Sequence, residues 1–383
     1  MRFFDPFIIL FFREIGFSYL QIGTLFALRE VSNTLLEIPS GIVADFLGRK
    51  NSMLFSFGAY IVAFLIFSFF TSYYIFLLAM FLYACGDSFR SGTHKAMIVD
   101  YLKIQGLSQL KTEYYGSTRS WSQIGSALSS VIAGILIIYT GEYRIIFLAS
   151  IFPYLLDFFI LLSYPKELNG TPGIYKNKKF NFSQFKILFM KSQYHRALLN
   201  SAIYDGLFKS VKDYLQPILK SFALTVPIFL LKNNEHRSTL IIASVYFLLY
   251  FLSAGSSKNA HKFSKKFITS ITALNMTFIV GIIITVFSGV LIIYGNELFA
   301  IISFITLFVI QNLRRPINTS YITEHIPENL MATGLSIETQ IKTLTIAILS
   351  PAIGYFADIW GIGFGILIVS ISVILLYPLL KIK

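Results

Sequence analysis

The sequence predicts an all-α polytopic membrane protein, and three observations carry that prediction. Of 383 residues, 55% are hydrophobic and only 13% are charged, against about 25% charged in an ordinary soluble domain. Apolar runs of roughly 20 residues, the length a helix needs to cross about 30 Å of hydrocarbon, recur along the chain. Mean hydropathy is +0.68, and the basic residues gather in the short stretches between apolar runs, where they orient a membrane chain. The net charge of +13 is therefore not read as a nucleic-acid surface, which would need one contiguous basic face.

Taken in order, the apolar runs place helices near 2–16, 19–43, 52–70, 74–101, 117–139 and 144–164. A second set follows near 196–219, 238–255, 268–291, 297–323, 331–356 and 361–380. The first set predicts an N-terminal six-helix bundle over 1–164 and the second a C-terminal one over 196–383. Between them, 165–195 is a basic linker carrying Lys166, Lys176, Lys178, Lys179, Lys186 and Lys191. Even-numbered runs end on the side that holds these lysines together with Arg49, Lys50, Lys103, Lys258, Lys262, Lys265 and Lys266. By the positive-inside rule that side is cytoplasmic, and so are both termini.

The first run meets Arg13 and Glu14 early, and at 1.5 Å per residue it is too short to span the bilayer. Residues upstream of Met1 are expected, which would put Asp5 at membrane depth. No cleavable signal is visible, because the opening run lacks a small-residue cleavage site and leads into further spans. With a single cysteine, Cys85, no disulfide framework is available. The sequence shows no metal-ligand cluster, phosphate-binding glycine loop or nucleophile–base set, so neither a cofactor, a metal nor an enzyme activity is expected. Two related halves are suggested by internal repetition: Gly134 and Gly141 recur as Gly354 and Gly361, while Arg90 and Asp100 have counterparts in Arg314 and Glu324.

Between the second and third runs lies Gly41-Ile42-Val43-Ala44-Asp45-Phe46-Leu47-Gly48-Arg49-Lys50. Asp45, Arg49 and Lys50 mark the exit from hydrocarbon, and the two glycines would allow a neighbouring helix to approach closely. This stretch resembles the signature loop G-x-x-x-D-x-x-G-R-[RK] of the major facilitator superfamily, with Gly41, Asp45, Gly48, Arg49 and Lys50 matching. The fourth run resembles that of bacterial members reading G-x-x-F-x-S-G-x-x-x-A-x-x-x-D, through Gly86, Phe89, Ser91, Gly92, Ala96 and Asp100. The resemblance implies twelve helices in two six-helix bundles that rock about a midplane site. It also implies a central cavity lined by helices 1, 4, 7 and 10, and a signature loop that helps hold one end-state.

Ionisable groups at membrane depth cost several kcal/mol on most estimates and usually face a partner or a wet cavity. In the fourth run Asp87, Arg90 and His94 are spaced to share a face. The seventh run carries Asp205, Lys209 and Asp213 at i+4 steps, beside Lys212, and reads either as an internally neutralised ladder or as a substrate site. The tenth run offers Arg314 and Arg315, one of which could simply neutralise Glu324. The second adds Arg29, Glu30 and Glu37; Arg29 and Glu30, being adjacent, are expected not to pair, whereas Glu30 and Glu37 are candidate proton carriers. Glu338 and Lys342 are read as a structural pair.

The fifth run departs from the drug-antiporter pattern G-x-x-x-G-P-x-x-G-G, reading Gly125-x-x-x-Ser129-Ser130-x-x-Ala133-Gly134. The expected function is nonetheless proton-coupled export of a small organic solute. Uptake of an organic anion and a non-transporting receptor or scaffold remain as alternatives. The expected partners are a small-molecule substrate, protons as coupling ion and the lipid bilayer, with no nucleic acid. The expected state is a monomer in a bacterial cytoplasmic membrane.

Overall fold

A computed structural model describes residues 2–107, 111–165, 192–225, 234–325 and 331–382. The linker lysines at 166–191 lie outside the described residues, as do the side chains of Asp45 and Asp100. Among the described residues the chain is all-helical. The first half comprises α1 (Ile8–Glu14), α2 (Tyr19–Leu47), α3 (Arg49–Phe69), α4 (Tyr73–Ile104), α5 (Lys111–Thr140) and α6 (Ile145–Leu162). The second comprises α7 (Ser192–Val211), α8 (Leu215–Thr225), α9 (Asn234–Ser264), α10 (Ser270–Ile293), α11 (Glu297–His325), α12 (Met331–Trp360), α13 (Ile362–Leu375) and α14 (Tyr377–Leu380).

Seven of these helices are long and apolar enough to cross a membrane: α3, α5, α6, α9, α10, α11 and α12. Helices α2 and α4, 29 and 32 residues long, fall short in hydropathy because Arg29 and Glu30 interrupt one and Asp87 and Arg90 the other. The charges of α2 and α4 therefore sit on helices that are long but impure.

The first helix is shorter than the sequence suggests, running from Ile8 to Glu14 instead of 2–16. Pro6 lacks an N–H and disfavours the α region at the residue before it, which stops a helix running through from residue 2, and Phe7, at φ −129° and ψ 4°, is the N-cap. Gly16, at φ +99°, ends the helix in a conformation that glycine adopts without penalty. The seventh segment is also not one helix. A single 3-10 turn, Lys212–Tyr214, separates α7 from α8, because Pro217 cannot donate to the carbonyl of Asp213 and its ring clashes with it.

The chain divides into two compact units, Met1–Asp5 with Leu28–Lys178, and Pro6–Ala27 with Lys179–Lys383. Residues 6–27 thus cluster with the second half of the chain, whereas the sequence division at 164 places them with the first. In that second unit, a Cβ on Gly23 would lie 2.4 Å from the Ser350 carbonyl oxygen, and one on Gly354 would lie 2.2 Å from that of Tyr19. The two backbones touch at positions only glycine can occupy. Both carboxylate oxygens of Asp358 accept main-chain N–H bonds, from Tyr19 and Leu20, at 2.8 Å each. These are the orphan donors at the start of α2, which favour an anion. On α1, the Ile9 N–H donates to Oε1 of the fully buried Gln216 at 2.8 Å.

In the first unit α3 and α4 pack closely. Ser56 donates to the Gly86 carbonyl at 2.7 Å, and a Cβ on Gly86 would meet the Tyr60 ring at 2.8 Å. Around them an aromatic core gathers Phe4, Phe64, Tyr83, Phe147 and Tyr154, with Phe4 stacked on Phe147 at 5.3 Å. The second unit uses small residues instead. Gly206 packs on Thr345, and Gly289 and Gly363 bring the backbones of α10 and α13 together.

Candidate functional site

Each unit brings ionisable groups together within its helices, around Asp87 in the first and around Arg314 in the second. In the first, Asp87 of α4 receives two donors and faces a further cation. Arg2 reaches its Oδ1 at 2.5 Å, the Tyr60 hydroxyl of α3 donates to it, and Arg90 stands at 3.7 Å. The Arg90 Nε also donates to the Tyr60 hydroxyl at 3.2 Å, and its guanidinium lies 5.8 Å from the Tyr60 ring centroid. Arg2 lies over the Tyr83 ring at 5.4 Å. The i, i+3 spacing of Asp87 and Arg90 is thus realised, but Arg2 and Tyr60 were missed. An arginine at position 2 looks like a surface charge, and a tyrosine in an aromatic run has no distinguishing signal.

Arg90 and His94 of α4 also line a cavity of about 740 Å3 among α3, α4 and α6, with Asp157 on the α6 wall. Elsewhere in this unit, Arg29 and Glu30 pair at 3.1 Å, contrary to the expectation from their adjacency. The arginine side chain is long enough to curl back across the helical offset between neighbours. Glu37, one of the candidate proton carriers, is exposed on α2, and Asp5 lies half-buried in the turn before Pro6.

The residues of the signature loop take distinct roles. Gly48 adopts φ +93° between α2 and α3, a backbone sign that side-chain-bearing residues rarely adopt. Among the described residues of its own unit, nothing lies within 4 Å of a would-be Cβ on Gly41. The Lys50 ammonium donates to the carbonyls of Leu162 and Tyr164 at 2.7 and 2.9 Å, capping the end of α6 where partial negative charge collects. Arg49 opens α3.

In the second unit the buried centre is Arg314 of α11, 1% exposed. It donates to the Leu274 carbonyl at 2.5 Å, the Thr277 hydroxyl at 2.9 Å and the Asn200 side-chain oxygen. Its guanidinium lies over the rings of Tyr204 and Phe278 at 4.7 and 5.6 Å. Glu324, the partner considered from sequence, accepts instead from Ser320 at 2.9 Å. Arg315 is exposed.

Two carboxylates share this unit without a cation within 4 Å among the described residues. Asp205 of α7 accepts from Gln311 at 2.8 Å, and Glu338 of α12 accepts from the Ser201 hydroxyl, which Asn318 also contacts as donor. The predicted Glu338–Lys342 pair is therefore replaced by an interhelical bond. The ladder through Lys209 and Asp213 is broken by the 3-10 turn, where Lys212 pairs with Asp213 at 2.5 Å. Arg90 and Arg314 occupy matching places in the repeat, but three residues before them stand Asp87 and Gln311 respectively. One half therefore neutralises its arginine with a carboxylate, and the other holds it with neutral groups. Gln311, Ser201 and Asn200 carry no charge, so a search for ionisable residues passes over them.

Long apolar helices folded around buried charged clusters define a multi-pass membrane protein. The chain belongs to the Major Facilitator Superfamily, whose family profile matches residues 1–339. It is 22% identical over 383 residues to an uncharacterized MFS-type transporter, YxaM of Bacillus subtilis (strain 168), covering 99% of this chain and 91% of that protein. Among solved structures it resembles a mutant form of the nucleoside transporter NupG, with a TM-score of 0.80 at 12% identity, over 99% of this chain and 95% of that one. A D-xylose-proton symporter is similar with a TM-score of 0.67 at 13% identity, over 96% and 90% of the two chains. A POT family transporter in complex with 5-aminolevulinic acid gives 0.65 at 13% identity, over 100% and 92%. At these identities the likeness to solved structures establishes the fold.

Proposed function

We propose that the protein exports a small organic solute in exchange for protons, by alternating access of two six-helix bundles in a bacterial cytoplasmic membrane, with both termini cytoplasmic. The observation that supports coupling is the contrast between carboxylates. Asp87, Glu30 and Asp213 each hold a cation within 4 Å, whereas Asp205 and Glu338 accept hydrogen bonds from neutral groups. Protonating a carboxylate of an ion pair leaves a part-buried cation uncompensated; protonating Asp205 or Glu338 breaks no ion pair among the described residues.

The test is proton flux in liposomes with an internal pH dye, while lipophilic cations, neutral drugs and small organic anions are added in turn. One cargo class should drive a pH change. In Asp205→Asn or Glu338→Gln that change should disappear while cargo counterflow persists; coupling that survives in both variants refutes the assignment. Export rests on the resemblance of the signature loop and fourth helix, and the likeness to a proton symporter supports uptake as the second reading. Vesicles of defined orientation separate the two, since export moves protons against the cargo and uptake moves them with it.

A further inference from the structure

Gln311 of α11 carries an amide that is only half used. Its Nε2–H donates to Oδ1 of Asp205 on α7 at 2.8 Å. An ionised carboxylate can only accept, so the prong on Asp205 is the nitrogen and the orientation of the amide is fixed by chemistry. The other prong, Oε1, is buried and has no hydrogen-bond partner among the described residues, and the residue is 7% exposed. Leaving a buried acceptor without a donor is costly.

Asp205 is half-buried and pairs with no cation among the described residues. Tyr204 beside it, Arg314 of α11 and Glu338 of α12 lie within its electrostatic reach, and Lys209 stands one turn further along α7. Arg314 directs its donors to Leu274, Thr277 and Asn200, and Glu338 accepts from Ser201. Protonation of Asp205 would supply the donor that Gln311 lacks. A carboxyl and a side-chain amide are planar forks of matching width. With the N–H prong on Oδ1, a proton on Oδ2 can be donated to Oε1, closing a ring of two hydrogen bonds; the ionised form makes only the first. In the sequence repeat Gln311 stands where the first half has Asp87. A carboxylate there could not donate the N–H and would repel ionised Asp205.

We infer that Gln311 is a positioning residue that holds Asp205 in its proton-loaded form through this two-bond ring. Its part in transport rests on the proton-coupling reading, whereas the ring itself does not. The proton comes from water when Asp205 is loaded and returns to water on release, so no other bond is made or broken.

The experiment is infrared difference spectroscopy between neutral and acidic pH, on the full chain in lipid nanodiscs with carbon-13-labelled glutamine to mark the amide carbonyls. In the wild-type protein, acidification should bring up the carbonyl band of a hydrogen-bonded carboxylic acid that is missing from Asp205→Asn. One glutamine carbonyl band should shift down with it. In Gln311→Met, of similar size but with neither prong, the acid band should move up to the frequency of an unbonded carboxyl and the glutamine shift should vanish. Proton flux in the liposome assay should fall roughly tenfold in that variant, equivalent to about 1.4 kcal/mol for a lost buried hydrogen bond, with cargo counterflow retained. An acid band that stays in place in Gln311→Met overturns the inference. If that variant fails to fold, the wild-type spectrum decides: an Asp205 acid band without a glutamine shift, or no Asp205 acid band, overturns it. Paired bands with proton flux that survives in both Asp205→Asn and Glu338→Gln would keep the ring and end the coupling reading. Flux lost in Asp205→Asn without paired bands would keep the coupling and end the role of Gln311.

Discussion

Replacing Asp358 by alanine removes both acceptors that hold the first turn of α2. Tyr19 and Leu20 each donate a main-chain N–H to a separate oxygen of that carboxylate at 2.8 Å. A side-chain cap is worth about 0.5–2 kcal/mol, and an anion at a helix N-terminus about 0.3–1 kcal/mol. These describe overlapping effects, and Asp358 and Leu20 are exposed, so a net loss of about 1–2 kcal/mol is expected. At about 1.4 kcal/mol per tenfold, the Tyr19 and Leu20 amides should exchange with deuterium roughly 5–30-fold faster in nanodiscs. Asp358→Asn keeps one acceptor oxygen and should fall between. Gly354→Ala offers an independent route to the same opening, because its Cβ would sit 2.2 Å from the Tyr19 carbonyl oxygen and the backbone must retreat. Unchanged exchange at both amides in Asp358→Ala would refute the capping argument.

Among the described residues the buried Tyr204 hydroxyl has no hydrogen-bond partner, and it stands 2.0 Å from a would-be Cβ on Gly281. Gly281→Ala should therefore destabilise by about 1–3 kcal/mol, and adding Tyr204→Phe should recover part of that loss in a thermal melt. A double variant no more stable than Gly281→Ala alone would count against it. For the signature loop, Asp45→Asn should shift the balance between end-states more than ground-state affinity, since a contact made in one state biases the equilibrium by its differential free energy. Distance distributions between spin-labelled cytoplasmic ends that match the wild type would reject that role.

Much of the helical plan can be read from the residues. The twelve apolar runs and the observed helices agree closely because hydrocarbon leaves the backbone no alternative to internal hydrogen bonding. Departures arise where one residue acts locally, at Pro6 before α1 and at Pro217 after the 3-10 turn. Both prolines were visible, but their effect depends on a helix having formed around them. The candidate site is less accessible to sequence reading. Spacing correctly grouped Asp87 with Arg90, yet it paired Glu338 with Lys342 when the partner is Ser201, 137 positions away. Helical spacing describes neighbours along one helix, whereas a buried carboxylate takes whichever donor the adjacent helix presents.

By itself, the sequence determined that this chain is a bundle of membrane helices interrupted by charged residues, and it supplied the signature of its superfamily. Composition and run length suffice for that, because the bilayer acts on every residue in the same way. Only the tertiary structure decided which charges meet. Arg2 joins Asp87, Asp358 caps α2, and Arg314 is held by neutral groups while its counterpart Arg90 shares a carboxylate. These outcomes depend on distances between helices set by glycine contacts and aromatic packing, and short-range polar bonds change partner over a single ångström-scale shift that no one-dimensional pattern records.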